Sequence, residues 1–335
     1  MLLGAAYGWS QGGSVAHTLG VLWILTVLAV LEISLSFDNA VVNAIVLNEM
    51  DEVWRRRFLT WGMVFAVFGT RIVFPLLMVA VAAQLGPLET LRLSLQDPVE
   101  YERIVSSAHI SIAGFGGAFL TMVGLKFFFD AEKDVHWIGW IEAQVARFSA
   151  LPAMEIALLL LVLWGISTWL PADEAQAFLV AGILGTVTFI AVDALGTALE
   201  LREQKLKLQG ALVRAGLGGF IYLNVLDASF SFDGVIGAFA LTNNMVIIAL
   251  GLSIGAMFVR SMTLMLVKRG TLAEYRYLEH GAFWAILALG AIMLLSARFH
   301  ISEAITGLIG AVLIALSLWW SVRHNRAEAS DTAND

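Results

Sequence analysis

Two short stretches of this 335-residue sequence carry carboxylates at a spacing that could bind a cation. Residues 31–38 read Leu-Glu-Ile-Ser-Leu-Ser-Phe-Asp, and residues 226–233 read Leu-Asp-Ala-Ser-Phe-Ser-Phe-Asp. Five of the eight positions are identical, and Glu32 and Asp227 match in charge. In each copy the two acids are six residues apart, which on a straight helix is about 9 Å of rise and about 120° of rotation. One straight helix could not close both acids around a small ion. Either the helix unwinds between them, or each acid has its own task. Ser34, Ser36, Ser229 and Ser231 offer hydroxyls to freed backbone groups, and Gly234 after Asp233 is the expected breaking point. Asn39 and Asn43 follow Asp38 and add neutral oxygens. Carboxylates with amide oxygens make a hard site suited to Mn²⁺, Ca²⁺ or Mg²⁺.

All four acids lie in apolar sequence. A carboxylate at the bilayer centre costs about 2.5–3.5 kcal/mol on insertion scales, so it needs a proton, a cation or a wet cavity. Arg71 and Arg260 are the available counter-charges, 33 residues after Asp38 and 27 after Asp233. With Glu32, Asp38, Asp227 and Asp233 all ionised, two negative charges remain, and one divalent cation would neutralise them. Asp193 is a fifth intramembrane acid, either a ligand or proton carrier or a residue paired for structure. Asn224 is a further polar contact, and Glu155 is near enough to a span end to reach water. His109 and His280 begin matching spans and read as interfacial. Asp130, Glu132, Asp134 and His136 could collect a metal in the segment 130–136, but such a run is more often a solvated interfacial stretch.

Membrane helices must position these groups. The composition is 59% hydrophobic and 14% charged, and the mean hydropathy is +0.82. That much apolar surface is suited to lipid rather than to a soluble core. There is no Cys, which excludes disulfides and thiolate metal sites. The basic residues are scattered, so nucleic acid is not an expected partner. Residues 1–16 lack a basic leader, so no cleavable signal is expected.

Nine candidate spans follow, at 14–47, 58–84, 108–129, 154–171, 176–199, 213–241, 245–267, 281–297 and 302–322. With the N-terminus outside, fifteen Lys and Arg fall on the inner side, three (Arg92, Arg103, Arg298) outside, and two within spans. This asymmetry follows the positive-inside rule. The expected fold is therefore an all-α, polytopic transmembrane bundle forming one domain over 1–322. Repeat one would be 14–129, linker spans 154–199, repeat two 213–297 and the last span 302–322. Residues 323–335 would be a disordered cytoplasmic tail. Five spans separate the two repeat starts, so the copies would run in opposite directions, as in many secondary transporters with a midplane site. The stretch 86–107, with Pro87 and Pro98, reads as an external loop or short surface helix.

The motifs Ser36-Phe37-Asp38-Asn39-Ala40-Val41-Val42 and Phe230-Ser231-Phe232-Asp233 resemble the TerC family of membrane proteins. Phe115-Gly116-Gly117-Ala118-Phe119, Phe127-Phe128-Phe129-Asp130 and Lys133-Asp134-Val135-His136-Trp137 resemble a little-characterised branch of it. The likeness covers most of residues 20–320. It implies a LysE-type transporter that exports a divalent cation, manganese above all, with the two acidic motifs as the ion site. The sequence departs from the better-studied branch after Asp233, where Gly234 and Val235 replace a Ser-Ile-Pro sequence.

The leading expectation is a secondary transporter, not an enzyme, in a cell membrane such as the bacterial inner membrane. Its partners would be lipid, the metal ion and protons as coupling ion, with a homo-oligomer left open. The alternative is a membrane scaffold for metal handling or stress resistance that transports nothing itself. An intramembrane metalloenzyme is disfavoured, because no His-Glu-x-x-His pattern occurs.

Overall fold

A computed structural model describes residues 1–331 apart from 63, 74–75, 77–79, 81–84, 131–134, 149–152, 209–215, 240, 243, 270–273, 300 and 302. Side chains at 66–67, 143, 146–148, 200, 204, 206–208, 230–233, 236, 269, 303–304 and 327–331 also fall outside the description. The described residues are helical and contain no strand.

The chain opens with α1 (Leu2–Gly12) and α2 (Val15–Leu35), joined by Gly13 in the left-handed region at φ 56°. Ser14 caps α2 by accepting from His17 N at 3.2 Å. Helix α3 (Phe37–Glu49) continues α2 after a bend at Ser36, whose φ of −111° and ψ of 17° leave helical geometry. Then come α4 (Glu52–Arg57) and two π-helical stretches, Phe58–Gly62 and Phe65–Val73. Helices α5 (Pro87–Gln96) and α6 (Pro98–Ser107) each start on a proline, which lacks the N–H that a first helical turn leaves unpaired. The rest are α7 (His109–Phe128), α8 (Gly139–Phe148), α9 (Met154–Ser167), α10 (Ala172–Leu208), α11 (Leu217–Phe239), α12 (Met245–Arg269), α13 (Leu278–Ser296) and α14 (Glu303–Asp331).

Among the described residues, six helices are long and apolar enough to cross a membrane: α2, α7, α10, α12, α13 and α14. Helix α9 is apolar but has 14 residues, about 21 Å of rise. The stretch expected at 58–84 is described only in part. Helix α11 has 23 residues and runs through Gly234 without a break, so the expected breaking point does not occur there. The expected disordered tail is helical as far as Asp331. Its start is tied down: Asn325 Nδ2 donates to Glu274 O at 2.8 Å, and His324 lies 3.3 Å from Arg276.

Glycines set the closest helix crossings. A Cβ on Gly251 would lie 2.6 Å from Leu28, and one on Gly255 would lie 2.5 Å from Glu32, so α12 packs parallel to α2 at backbone distance. Such Gly-x-x-x-Gly faces let helices approach closely in lipid. A Cβ on Gly117 would meet Leu294 at 2.8 Å and one on Gly290 would meet Thr121 at 2.7 Å, which fixes α7 antiparallel to α13. Gly114 against Phe178, Phe119 against Phe189 and Lys126 beside Asp193 make α7 parallel to α10. Helix α11 packs on the 65–73 stretch as well as on α3, α7 and α10.

The apolar core forms two clusters. One surrounds Phe119, Leu120, Met122, Leu163, Phe178 and Ile286. The other joins Leu25 and Leu28 of α2 to Ile248 and Leu252 of α12, and to Tyr101 and Val105 of α6. The stretch 86–107 is therefore two short helices, the second anchored by a fully buried tyrosine.

Candidate cation site

The last turn of α2 carries Glu32 inward, where it is 2% exposed. Its Oε1 pairs with the Arg71 guanidinium from the 65–73 stretch and accepts from Ser36 Oγ at 3.1 Å. Two glycines make room for it. A Cβ on Gly234 would lie 3.0 Å from Glu32 Oε2, and Gly255 abuts its Cβ and Cγ. Glu32 is thus held by parts of both sequence repeats: its own helix, α11 and α12.

The bend at Ser36 starts α3 at the depth of this pair. Asp38 lies in the first turn of α3 and accepts from Asn39 N at 2.9 Å. A carboxylate there complements the positive end of the helix dipole. Asn39 and Asn43, one turn apart, reach across to α11. Asn43 Nδ2 donates to Asp227 Oδ1 at 3.1 Å, and the Asn39 side chain hydrogen-bonds Asp227 as well. Arg71 and Glu32 lie close enough to Asp227 to act on it electrostatically. Among the described residues, the amide oxygens of Asn39 and Asn43 are then left buried with no hydrogen-bond partner. Turning either amide over would set its oxygen against the Asp227 carboxylate, so the contact with Asp227 fixes this orientation.

Glu32, Asp38, Asn39, Asn43, Arg71 and Asp227 are all buried. Among the described residues, Glu32 and Asp227 stand with one guanidinium and two unpaired amide oxygens, and Asp38 is buried in the turn that carries those amides. This collection is rich in electron-pair donors and short of positive charge. Buried polar atoms normally find partners, and an orphaned acceptor costs about 1–3 kcal/mol.

Asp193, His109 and Asn224 make contacts of their own. Asp193 pairs with Lys126 and lines a cavity of about 610 Å³ with Glu49, Asp130, Glu155 and Tyr222. Arg260 has a buried Nε without a hydrogen-bond partner, and no ion pair joins it to Glu32, Asp38 or Asp227 among the described residues. The Asp233 side chain lies outside the described residues, as do Glu132 and Asp134. His109 approaches Ser296 O at 3.2 Å beside a second cavity, of about 640 Å³, lined by Thr168, Trp169, Glu174 and Arg298. Asn224 donates to Phe220 O at 2.6 Å within its own helix.

The matching family sequence profile covers residues 37–328 and is described as a protein of unknown function, DUF475. The chain belongs to the DUF475 family. No curated protein and no solved structure matches it. The DUF475 match takes in Asp38, Asn39, Asn43, Arg71, Asp193, Asp227, Asp233 and Arg260, and starts five residues after Glu32.

Two groups of this DUF475 chain escaped the sequence reading, one buried and one exposed. Glu142, 2% exposed, accepts from Trp137 N at 3.1 Å, Ile138 N at 3.2 Å and Trp284 Nε1 at 3.0 Å. It also lies 3.5 Å from His136 and from His280, so this histidine of α13 is buried rather than interfacial. The available signal was an acid in the first turn of α8, where it satisfies unpaired N–H groups. Lys126 was the other, a lone cation ending an apolar helix two expected spans before the one that carries Asp193.

Proposed function

We propose that this chain is a secondary transporter that exports a divalent cation, manganese best of all, through a site formed by Glu32, Asp38, Asn39, Asn43 and Asp227. The observation that carries this reading is the pair of orphaned amide oxygens beside the carboxylates. Hydrogen-bond donors would quiet a purely structural cluster, whereas this one retains acceptors, which a hard cation satisfies. Arg71 balances the charge when the ion is absent, and Asp233 adds a carboxylate from the second motif. The resemblance to TerC belongs to the same reading.

The packing supports an inverted repeat. The first span of copy one (α2–α3) lies against the second span of copy two (α12). The first span of copy two (α11) lies against the second span of copy one (65–73), and the two third spans (α7, α13) pair antiparallel. A pseudo-two-fold axis exchanges the copies in that pattern. The two cavities gather opposite helix ends. One collects Glu49, Lys126, Glu155 and Gly218, and the other collects His109, Thr168, Glu174 and Ala297. Nine spans with alternating direction give that grouping, and alternating access needs a vestibule on each side.

The test is Mn²⁺ flux in proteoliposomes with the wild type, Asp38→Asn, Asp227→Asn and Asp233→Asn. Wild-type flux that falls at least tenfold in the Asp38 and Asp227 variants supports the proposal. Absence of any divalent flux in the wild type, or undiminished flux in both of those variants, sinks it in favour of a scaffold.

A further inference from the structure

We infer that Lys126 is a tethered cation that an incoming divalent ion must displace from Asp193, so that this pair selects what leaves the inner cavity for the central site. The inference rests on the transporter reading and names the step before it. Lys126 ends α7, where its charge complements the helix dipole, and its ammonium pairs with Asp193 on the parallel helix α10. Close packing of those helices does not need the pair. It is supplied by Gly114 on Phe178, Gly185 on Phe115 and Phe119 on Phe189. The pair is instead half open, with side chains 53% and 34% exposed, where an ion pair adds little stability.

Its setting gives it a use. The cavity of about 610 Å³ carries four acids, Glu49, Asp130, Glu155 and Asp193, and Lys126 is the one basic side chain among its described lining residues. Tyr222 lines the same cavity, five residues before Asp227 on α11, about 7.5 Å along the helix axis. An ion arriving from the inner side therefore meets Asp193 before it meets Asp227. Lysine is a compact charge on a flexible four-carbon stem and can swing away without moving the helices. A divalent ion replacing the ammonium on Asp193 brings one more positive charge to an acid-rich wall. A potassium or sodium ion brings none, so the exchange favours divalent ions over the monovalent ions that surround them.

The experiment uses full-length protein in proteoliposomes with Mn²⁺ applied to the inner face and KCl as competitor. The variants are Lys126→Met, Lys126→Gln, Lys126→Arg, Asp193→Asn and Lys126→Met with Asp193→Asn. Removing the ammonium by Met or Gln should lower the half-saturating Mn²⁺ about two- to fivefold, the worth of a half-exposed pair. It should also make flux more sensitive to KCl. Lys126→Arg should stay near wild type, and Lys126→Met should have no effect in the Asp193→Asn background. Unchanged half-saturation and KCl sensitivity in both Met and Gln variants overturn the inference, as does the same shift with Asp193 already neutral. If Asp227→Asn still abolishes flux in that case, the transporter reading survives. A wild type that moves no divalent ion overturns both.

Discussion

At the residue scale, Glu32 and Arg71 form a buried pair, and removing Arg71 takes from the Glu32 carboxylate its described counter-charge. Losing one partner of such a pair typically costs about 3–5 kcal/mol, while replacing both can be close to neutral. Arg71→Met should therefore lower thermal stability sharply in detergent, and Glu32→Gln with Arg71→Met should recover much of the loss. A double variant no more stable than Arg71→Met would show that the pair does not carry its burial cost. The asparagines separate structure from binding. Asn39→Ala and Asn43→Ala each remove one orphaned oxygen and one hydrogen bond to Asp227. Each should weaken Mn²⁺ binding about 10–100-fold, the usual effect of losing groups that orient a ligating carboxylate. Titration of the purified protein followed by Mn²⁺ magnetic resonance measures it, and unchanged binding would remove both residues from the site.

At the element scale, the same residue type can mean opposite things. Gly234 reads in the sequence as a place for a helix to break, yet α11 continues through it, and the glycine gives Glu32 room. The bend falls in the other copy, at Ser36, which carries no glycine. Sequence pattern alone cannot separate a glycine that frees the backbone from one that admits a neighbour, because the neighbour is more than two hundred residues away. The acids themselves were legible, since charge in apolar sequence is costly and must have a use. Their pairing was not. Arg71 joins Glu32 across 39 residues, a contact that spacing within one motif does not announce. The glycine reading predicts a graded result. Gly255→Ala sets a methyl 2.5 Å from Glu32 Cβ and 2.9 Å from Ala29 O, and should cost about 1–3 kcal/mol and weaken metal binding. Gly165→Ala meets nothing within 4 Å and should stabilise α9 by about 0.5–1 kcal/mol. Thermal denaturation of the two variants decides it, and equal effects would rule out a tight α2–α12 crossing.

At the scale of the whole molecule, a two-sided ion path depends on which helix ends share a face. On the proposed topology the basic loops face the inner side, and the two cavities gather helix ends into the same two groups. These are independent lines, one from loop charge and one from packing. The sequence has no cysteine, so single cysteines can be introduced without a background. Gln11, Arg56, Ser107 and Arg326 are exposed positions spread over both expected faces. In intact cells, a membrane-impermeant maleimide should label Gln11→Cys and Ser107→Cys. Arg56→Cys and Arg326→Cys should react only after the membrane is opened. Arg56→Cys and Ser107→Cys flank the 58–84 stretch, so opposite accessibility means an odd number of crossings between them. Labelling of both from outside would set α3 and α7 in opposite directions, whereas the nine-span inverted repeat needs them to run the same way. The site would then be a buried polar cluster with access from one side, which is the arrangement a metal-holding scaffold requires and a transporter cannot use.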